Sequence, residues 1–381
     1  MDVFSTAATR RIHPVPRKAR RSSGLAYLLM IALGSSLAFG ACGQAEETSQ
    51  AVVPTPSARS TIIATAEPSA SPTPAGTPAP SPVRVSPTSE VGPATPEAEP
   101  QLPVTVHDAD GQEVTVTDVS RIVPLNGDVA EIVWALGLGD NVVGVDTSAS
   151  YPPEARQLPS IGYQRRLSAE GILSLDPTVI IGTQEAGPPE VIQQIRDAGV
   201  PVVLVEDEPS LETPGAKIRA VAQALGVPGR GEALARQTER EIAEAKTLAA
   251  RATSKPRVLF LYLRGTQTQT IGGRGTDANV MIEAAGAIDA GAEAGIEGYK
   301  PLTPEALVAA QPDVLLLLEA GLESVGGVEG LLQIPGIAGT PAGRNRRVVA
   351  LDDLYLLGMG PRTGQALRDL VLALHPELQR G

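Results

Sequence analysis

An internal disulfide is impossible in this chain, because its 381 residues hold one cysteine, Cys42. Histidine is nearly as scarce: His13, His107 and His375 are the only three, and no two share metal-ligand spacing. A Walker loop, a Gly-x-Ser-x-Gly elbow and a thiol available for catalysis are all missing, which argues against an enzyme. Aromatic residues are only 3% of the total, which argues against a site built mainly on stacking. Positive charge is also in deficit. The chain carries −12 overall, and its first 41 residues hold six basic side chains against one acid, Asp2, so removing that +5 leaves −17. Nucleic acid is excluded as a partner, since its phosphates demand a basic face. An anionic ligand would have to meet locally placed Arg or Lys.

A comfortable membrane span, which needs about 20 apolar residues, is missing as well. The apolar run from about Leu25 to Phe39 is shorter and is followed by small residues. Before it stand Arg10, Arg11, Arg17, Lys18, Arg20 and Arg21. Basic, apolar and small stretches in that order predict an export signal over residues 1–41. Cys42 follows at once, in Ala38-Phe39-Gly40-Ala41-Cys42-Gly43. This resembles the lipobox of bacterial lipoproteins, with Phe39 where Leu is usual, and implies a lipid on the Cys42 thiol. A buried cysteine behind a plain anchor helix is the alternative. The expected location is the outer face of the cytoplasmic membrane. From Gln44 to about Pro103 the chain is Pro, Ala, Thr, Ser and Glu, with too few large apolar side chains to offset ordering. Residues 42–103 are therefore expected to form a lipidated, proline-stiffened tether.

Beyond Val104 short β-branched runs alternate with helical patterns. Arg121–Pro124, Val142–Val145, Thr178–Ile181 and Val202–Val205 read as strands buried on both faces. Asp128–Leu138, Pro188–Ala198 and a stretch within Asp207–Val227 read as helices. Such alternation predicts parallel βαβ units. Arg230–Arg251 then reads as one long amphipathic helix, with Leu234, Thr238, Ile242, Ala245 and Leu248 on its apolar face. A second series follows, with strands at Val258–Leu263, Asp313–Leu318 and Arg347–Leu351 and a last helix at Thr363–Leu374. The fold class expected is α/β: two Rossmann-like lobes with parallel sheets, residues 104–227 and 255–381, joined by one helix across 228–254.

An internal echo supports two related lobes. Leu167–Ile180 matches Leu302–Leu315, and in both copies Leu precedes Glu by three positions and Glu precedes Pro by seven. Each reads as a short helix capped by Ser168 or Thr303, followed by a buried strand. Glu170 and Glu305 fall in the first turns, where the helix dipole favours them.

The chemistry-bearing candidates are few. Gly272-Gly273-Arg274-Gly275-Thr276 could cradle an anion before a helix, or simply make a tight turn. Each lobe offers a Tyr-x-Arg, Tyr163/Arg165 and Tyr262/Arg264, near a place where open α/β sheets bind ligands. A phenol beside a guanidinium is biased toward phenolate, and phenolate is an axial ligand for haem iron. Two ordinary half-buried tyrosines with unrelated arginines would look the same at this level.

Several of these stretches together carry a family resemblance. They are Ile161–Ile181, Gly187–Val191, Gly273–Thr276, Gly298-Tyr299-Lys300-Pro301-Leu302, Asn345–Asp353 and Gly358–Thr363. From Arg121 onward, in order and in both lobes, the chain resembles the haemin-binding lipoproteins of bacterial haem ABC importers. Those belong to the helix-joined (class III) periplasmic binding proteins, alongside cobalamin and ferric-siderophore carriers. The resemblance implies a non-catalytic binding component that passes haemin to a permease and its ATPase, with haem as cargo and not as a catalytic cofactor. It implies Tyr163 and Tyr262 as haem-iron ligands partnered by Arg165 and Arg264. It further implies Arg274, Lys300 and Arg362 as propionate or cleft contacts, and Glu170 and Glu305 as the acids that dock on permease arginines. The same architecture carrying cobalamin or a ferric siderophore is the alternative cargo reading.

Overall fold

The apolar runs that lack polar alternation become strands buried on both faces. Ile122–Pro124, Val179–Thr183, Val202–Val205, Val314–Leu318 and Val348–Leu351 are buried along their whole lengths, as sheets covered on both sides by helices require. The structure, a computed structural model, describes residues 83–85 and 99–379. Cys42 and the expected signal segment lie outside the described residues.

In the N-terminal lobe, Ile122–Pro124, Val179–Thr183 and Val202–Val205 pair in parallel in that order. The run Val142–Val145, predicted as a fourth strand, makes only single bridges, Val142 to Ile122 and Val145 to Ser160. Gly144 accounts for the interruption. A Cβ there would come within 2.4 Å of Leu175 Cδ1, so neighbouring chain presses on the backbone in mid-run. Helices Gly127–Ala135, Pro189–Asp197 and Thr213–Ala224 complete the lobe. An antiparallel hairpin, Val104–His107 with Glu113–Val116, was not read from the sequence, and its Val106 and Val116 enter the lobe's core.

The joining helix runs Pro228–Ala249, 22 residues, or about 33 Å at ~1.5 Å per residue. Its Leu234 and Ala235 belong to the core of the first lobe, and Ile242, Ala245 and Ala249 to a core of the second. One rigid element is thus packed into both lobes, which favours a stiff joint over a hinge loop.

The second lobe holds a seven-stranded mixed sheet. Its order is Val83–Val85, Val348–Leu351, Val314–Leu318, Arg257–Arg264, Thr268–Gly272, Tyr299–Pro301, with Ile288–Asp289 also paired to Arg257–Arg264. The parallel core matches the expectation, while Thr268–Gly272 and Tyr299–Pro301 add antiparallel pairing on one side. Val83–Val85 lies inside the stretch read as tether, yet it pairs in parallel with Val349–Leu351. Two valines flanking Arg84 suffice for a three-residue edge strand, although the surrounding composition is proline-rich.

The echo is structural as well as sequential. Ala169–Leu173 precedes the strand Val179–Thr183, and Pro304–Ala310 precedes Val314–Leu318. Ser168 accepts from the Gly171 N–H and Thr303 from the Ala306 N–H, one cap per copy. Asp176 and Gln311, each directly before a proline, both take left-handed backbone with φ of 45° and 40°.

Candidate functional site

A cleft of about 870 Å³ is lined from both lobes. Asn126, Tyr163, Gln164 and Glu185 come from the first lobe, and Tyr262, Arg264, Asp277 and Asp353 from the second. The first-lobe wall is a loop fixed by its own backbone. Gly162 turns it at φ +90°, a conformation that disfavours side chains, and its carbonyl accepts from the Thr147 N–H. Beyond the turn, Gln164 accepts from the Gly187 N–H through its carbonyl and from Asn126 Nδ2 through its side chain. Tyr163 is held here 43% exposed. Arg165 pairs with Glu185 at 2.5 Å. Burial works against the Arg165 charge, but Glu185 and the Tyr163 phenol outweigh it and hold the guanidinium up. Arg165 thus stands two residues from Tyr163 with Glu185 as its ion-pair partner.

Tyr262 and Arg264 end the strand Arg257–Arg264 on one face, as period-two alternation requires. Here the partnership takes another form. The Arg264 guanidinium lies over the Tyr262 ring, 4.5 Å from its centroid, and reaches Asp353 Oδ1 at 3.2 Å. A cation over the ring face, rather than a bond to the phenol oxygen, holds this tyrosine.

The other expected cleft cations stand apart. Arg274 is exposed in the turn before the helix Asp277–Ala284, and Lys300 is exposed on the strand Tyr299–Pro301; neither lines the cleft. Arg362 is 3% exposed and donates through Nε and Nη2 to both oxygens of Glu131, at 2.9 and 2.8 Å. Its planar group also lies 3.7 Å from the centroid of the Tyr151 ring. Arg362 thereby ties one lobe to the other and does not line the cleft. Glu170 and Glu305 are exposed in the first turns of their capped helices, as expected.

Sequence reasoning missed several cleft residues. Lys217 is buried beneath the cleft, bonded to Asp128 at 2.6 Å and Asp207 at 2.5 Å, and it donates across the lobes to the Gly358 carbonyl at 3.2 Å. Burial alone would push its ammonium down, but the two carboxylates hold it up. Burial raises Asp207 to about 6 and Asp277 to about 7. Arg156 reaches the cleft too, anchored to the Ser150 carbonyl. Tyr299, next to Lys300, carries no charge and no spacing that would mark it, and it reaches the cleft edge only through its ring contact with Tyr262. Among the described residues, no group of three or more His, Cys, Asp or Glu is placed to hold a metal ion.

Two α/β lobes, a helix packed into both and a polar-rimmed cleft between them define a two-lobe ligand-binding protein. A family profile for periplasmic binding proteins matches residues 122–355, and the chain belongs to that family. The solved structure of the periplasmic haem-binding protein RhuT of Roseiflexus sp. RS-1, in apo form, is similar with a TM-score of 0.67 and 65% identity, covering 69% of this chain and 100% of RhuT. The uncharacterized ABC transporter substrate-binding lipoprotein YvrC of Bacillus subtilis is 26% identical over 282 residues, 72% of this chain and 87% of YvrC. A vitamin B12-binding protein of Vibrio parahaemolyticus is 25% identical over 251 residues, 65% of this chain and 87% of that relative.

Proposed function

We propose that this protein captures haemin in the cleft between its lobes and delivers it to the permease of an ABC importer. The observation that carries the proposal is the meeting of Tyr163 and Tyr262, one from each lobe and each beside an arginine, in one cleft. Tyrosinate is a hard oxygen ligand suited to ferric haem, and a nearby guanidinium favours the ionised phenol. Arg156, on the cleft wall, is the arginine placed to meet a propionate, while Arg264 is paired with Asp353. RhuT, described as a haem-binding protein, supports this reading at 65% identity.

Delivery would use Glu170 and Glu305, the exposed first-turn acids of the two echoed helices, against permease arginines. Anchoring would use a lipid on Cys42, and YvrC is a lipoprotein by its own description. Cobalamin is the second reading, suggested by the vitamin B12-binding relative. It brings its own ligands for its metal and needs no protein tyrosinate.

Titration of the purified protein with haemin separates the two. Haemin should give a tyrosinate-ligated ferric spectrum, and the Tyr163→Ala, Tyr262→Ala double variant should lose it. An unchanged spectrum in the double variant, or tight cobalamin binding without any haemin response, would sink the haem assignment.

A further inference from the structure

The chain has ten aromatic residues, three Phe, six Tyr and one Trp, and three of them meet at one edge of the cleft. Phe260 and Tyr262 share a face of the strand Arg257–Arg264. Tyr299, on the short strand Tyr299–Pro301, sets its ring 6.4 Å from the first at 66° and 6.1 Å from the second at 65°. Both are edge-to-face contacts, the arrangement that ring quadrupoles favour. The place for Tyr299 is built. Its register partner is Gly272, where a Cβ would lie 3.0 Å from Phe260 Cδ1 and 3.5 Å from Tyr299 Cε1. A side chain there would push into the space that the rings use.

Despite these contacts Tyr299 stays 45% exposed. Among the described residues only Tyr163, Tyr299 and Val308 are large apolar side chains left so open. Tyr163 lines the cleft. Tyr299 stands at its rim, its ring 6.1 Å from that of Tyr262, which lines it.

Its charge environment differs from that of the other two tyrosines. Tyr163 has Arg165 and Tyr262 has Arg264, whereas Tyr299 is followed by Lys300, which alternation turns to the opposite face of the strand. Two residues on, where the other tyrosines have Arg165 and Arg264, stands Pro301, which offers the Tyr299 oxygen no guanidinium partner.

We propose that Tyr299 is a positioning residue of the ligand cleft: its ring flanks the flat face of a bound tetrapyrrole and fixes the Tyr262 ring for ligation, while its own oxygen stays off the iron. The proposal rests on the haem reading above.

The test is a haemin titration of the purified full-length protein, comparing wild type, Tyr299→Phe and Tyr299→Ala. Each is read for affinity and for the iron–phenolate signature by resonance Raman. The expected result is about tenfold weaker binding and a weakened signature for Tyr299→Ala, the size of an aromatic pair's contribution. Both should be restored in Tyr299→Phe, because the ring and not the hydroxyl does the positioning. Loss of the phenolate signature in Tyr299→Phe would make Tyr299 an iron ligand and overturn the proposal. Equality of Tyr299→Ala with wild type in both readouts would overturn it too, while leaving the haem reading intact. A wild-type protein that shows no phenolate signature with haemin would sink both.

Discussion

Removing the Glu131 carboxylate should cost this protein a large share of its stability. Arg362 donates two charged hydrogen bonds to Glu131, and the two residues are 3% and 4% exposed. Tyr151 and Tyr355 lie 3.7 and 5.0 Å from the guanidinium and close off routes to water. Arginine does not give up its proton, so Glu131→Ala leaves a full positive charge buried without a partner. Losing one member of a buried pair costs about 3–5 kcal/mol. At roughly 2–4 °C per kcal/mol for a folded unit of this order, the melting temperature should fall by about 6–20 °C. Scanning calorimetry of wild type, Glu131→Ala and the double variant Glu131→Leu, Arg362→Met would measure it. The double variant should recover most of the loss, because a buried pair and a well-packed apolar pair are close in energy. A Glu131→Ala loss under about 1 kcal/mol would refute the reasoning. It would mean that water reaches Arg362 and that the contact between lobes opens in solution.

Two further outcomes follow from the same structure. Asp277 is raised to about 7 and Asp146 and Asp207 to about 6, all above the ~3.9 of an unfolded aspartate. Their contribution to stability is therefore fully present below about pH 4 and lost as the pH climbs through 6 and 7. Asp277→Asn should flatten the decline between about pH 4 and 7 in denaturant unfolding, and slopes identical to wild type would count against the raised carboxyl. Thr303→Ala removes the cap on the Ala306 N–H, 3.2 Å away, and should cost about 0.5–2 kcal/mol. Hydrogen exchange should quicken at 304–310, and unchanged protection there would argue against the cap.

The parts of the fold that were legible share one property: their signal is local. The last helix, Thr363–Leu374, matches its expected span because its apolar period lies within one stretch. The joining helix was placed within two residues at each end for the same reason. The antiparallel strands Thr268–Gly272 and Tyr299–Pro301 escaped, since Thr268-Gln269-Thr270 has no apolar alternation and Tyr299-Lys300-Pro301 ends in a proline. Their strand character comes from pairing with a neighbour already in place, which is a tertiary effect.

The same contrast explains the candidate site. Tyr163 with Arg165 and Tyr262 with Arg264 were found because each pair is two residues apart. Glu131 and Arg362 are 231 positions apart, and Lys217 is 89 from Asp128, so no spacing rule could join them. Those hidden pairs answer a question that composition raised. A protein this acidic should repel an anionic cargo, but four of the six acids lining the cleft have a cation partner. Lys217 holds Asp128 and Asp207, Arg165 holds Glu185, and Arg264 holds Asp353. Pairing of this kind offsets part of the local field before a ligand arrives, one lysine standing against two of the carboxylates. What the cleft then presents is Arg156 for negative charge and tyrosine side chains for a metal and a flat ring. That surface suits an anionic metallo-macrocycle despite the negative charge of the whole chain.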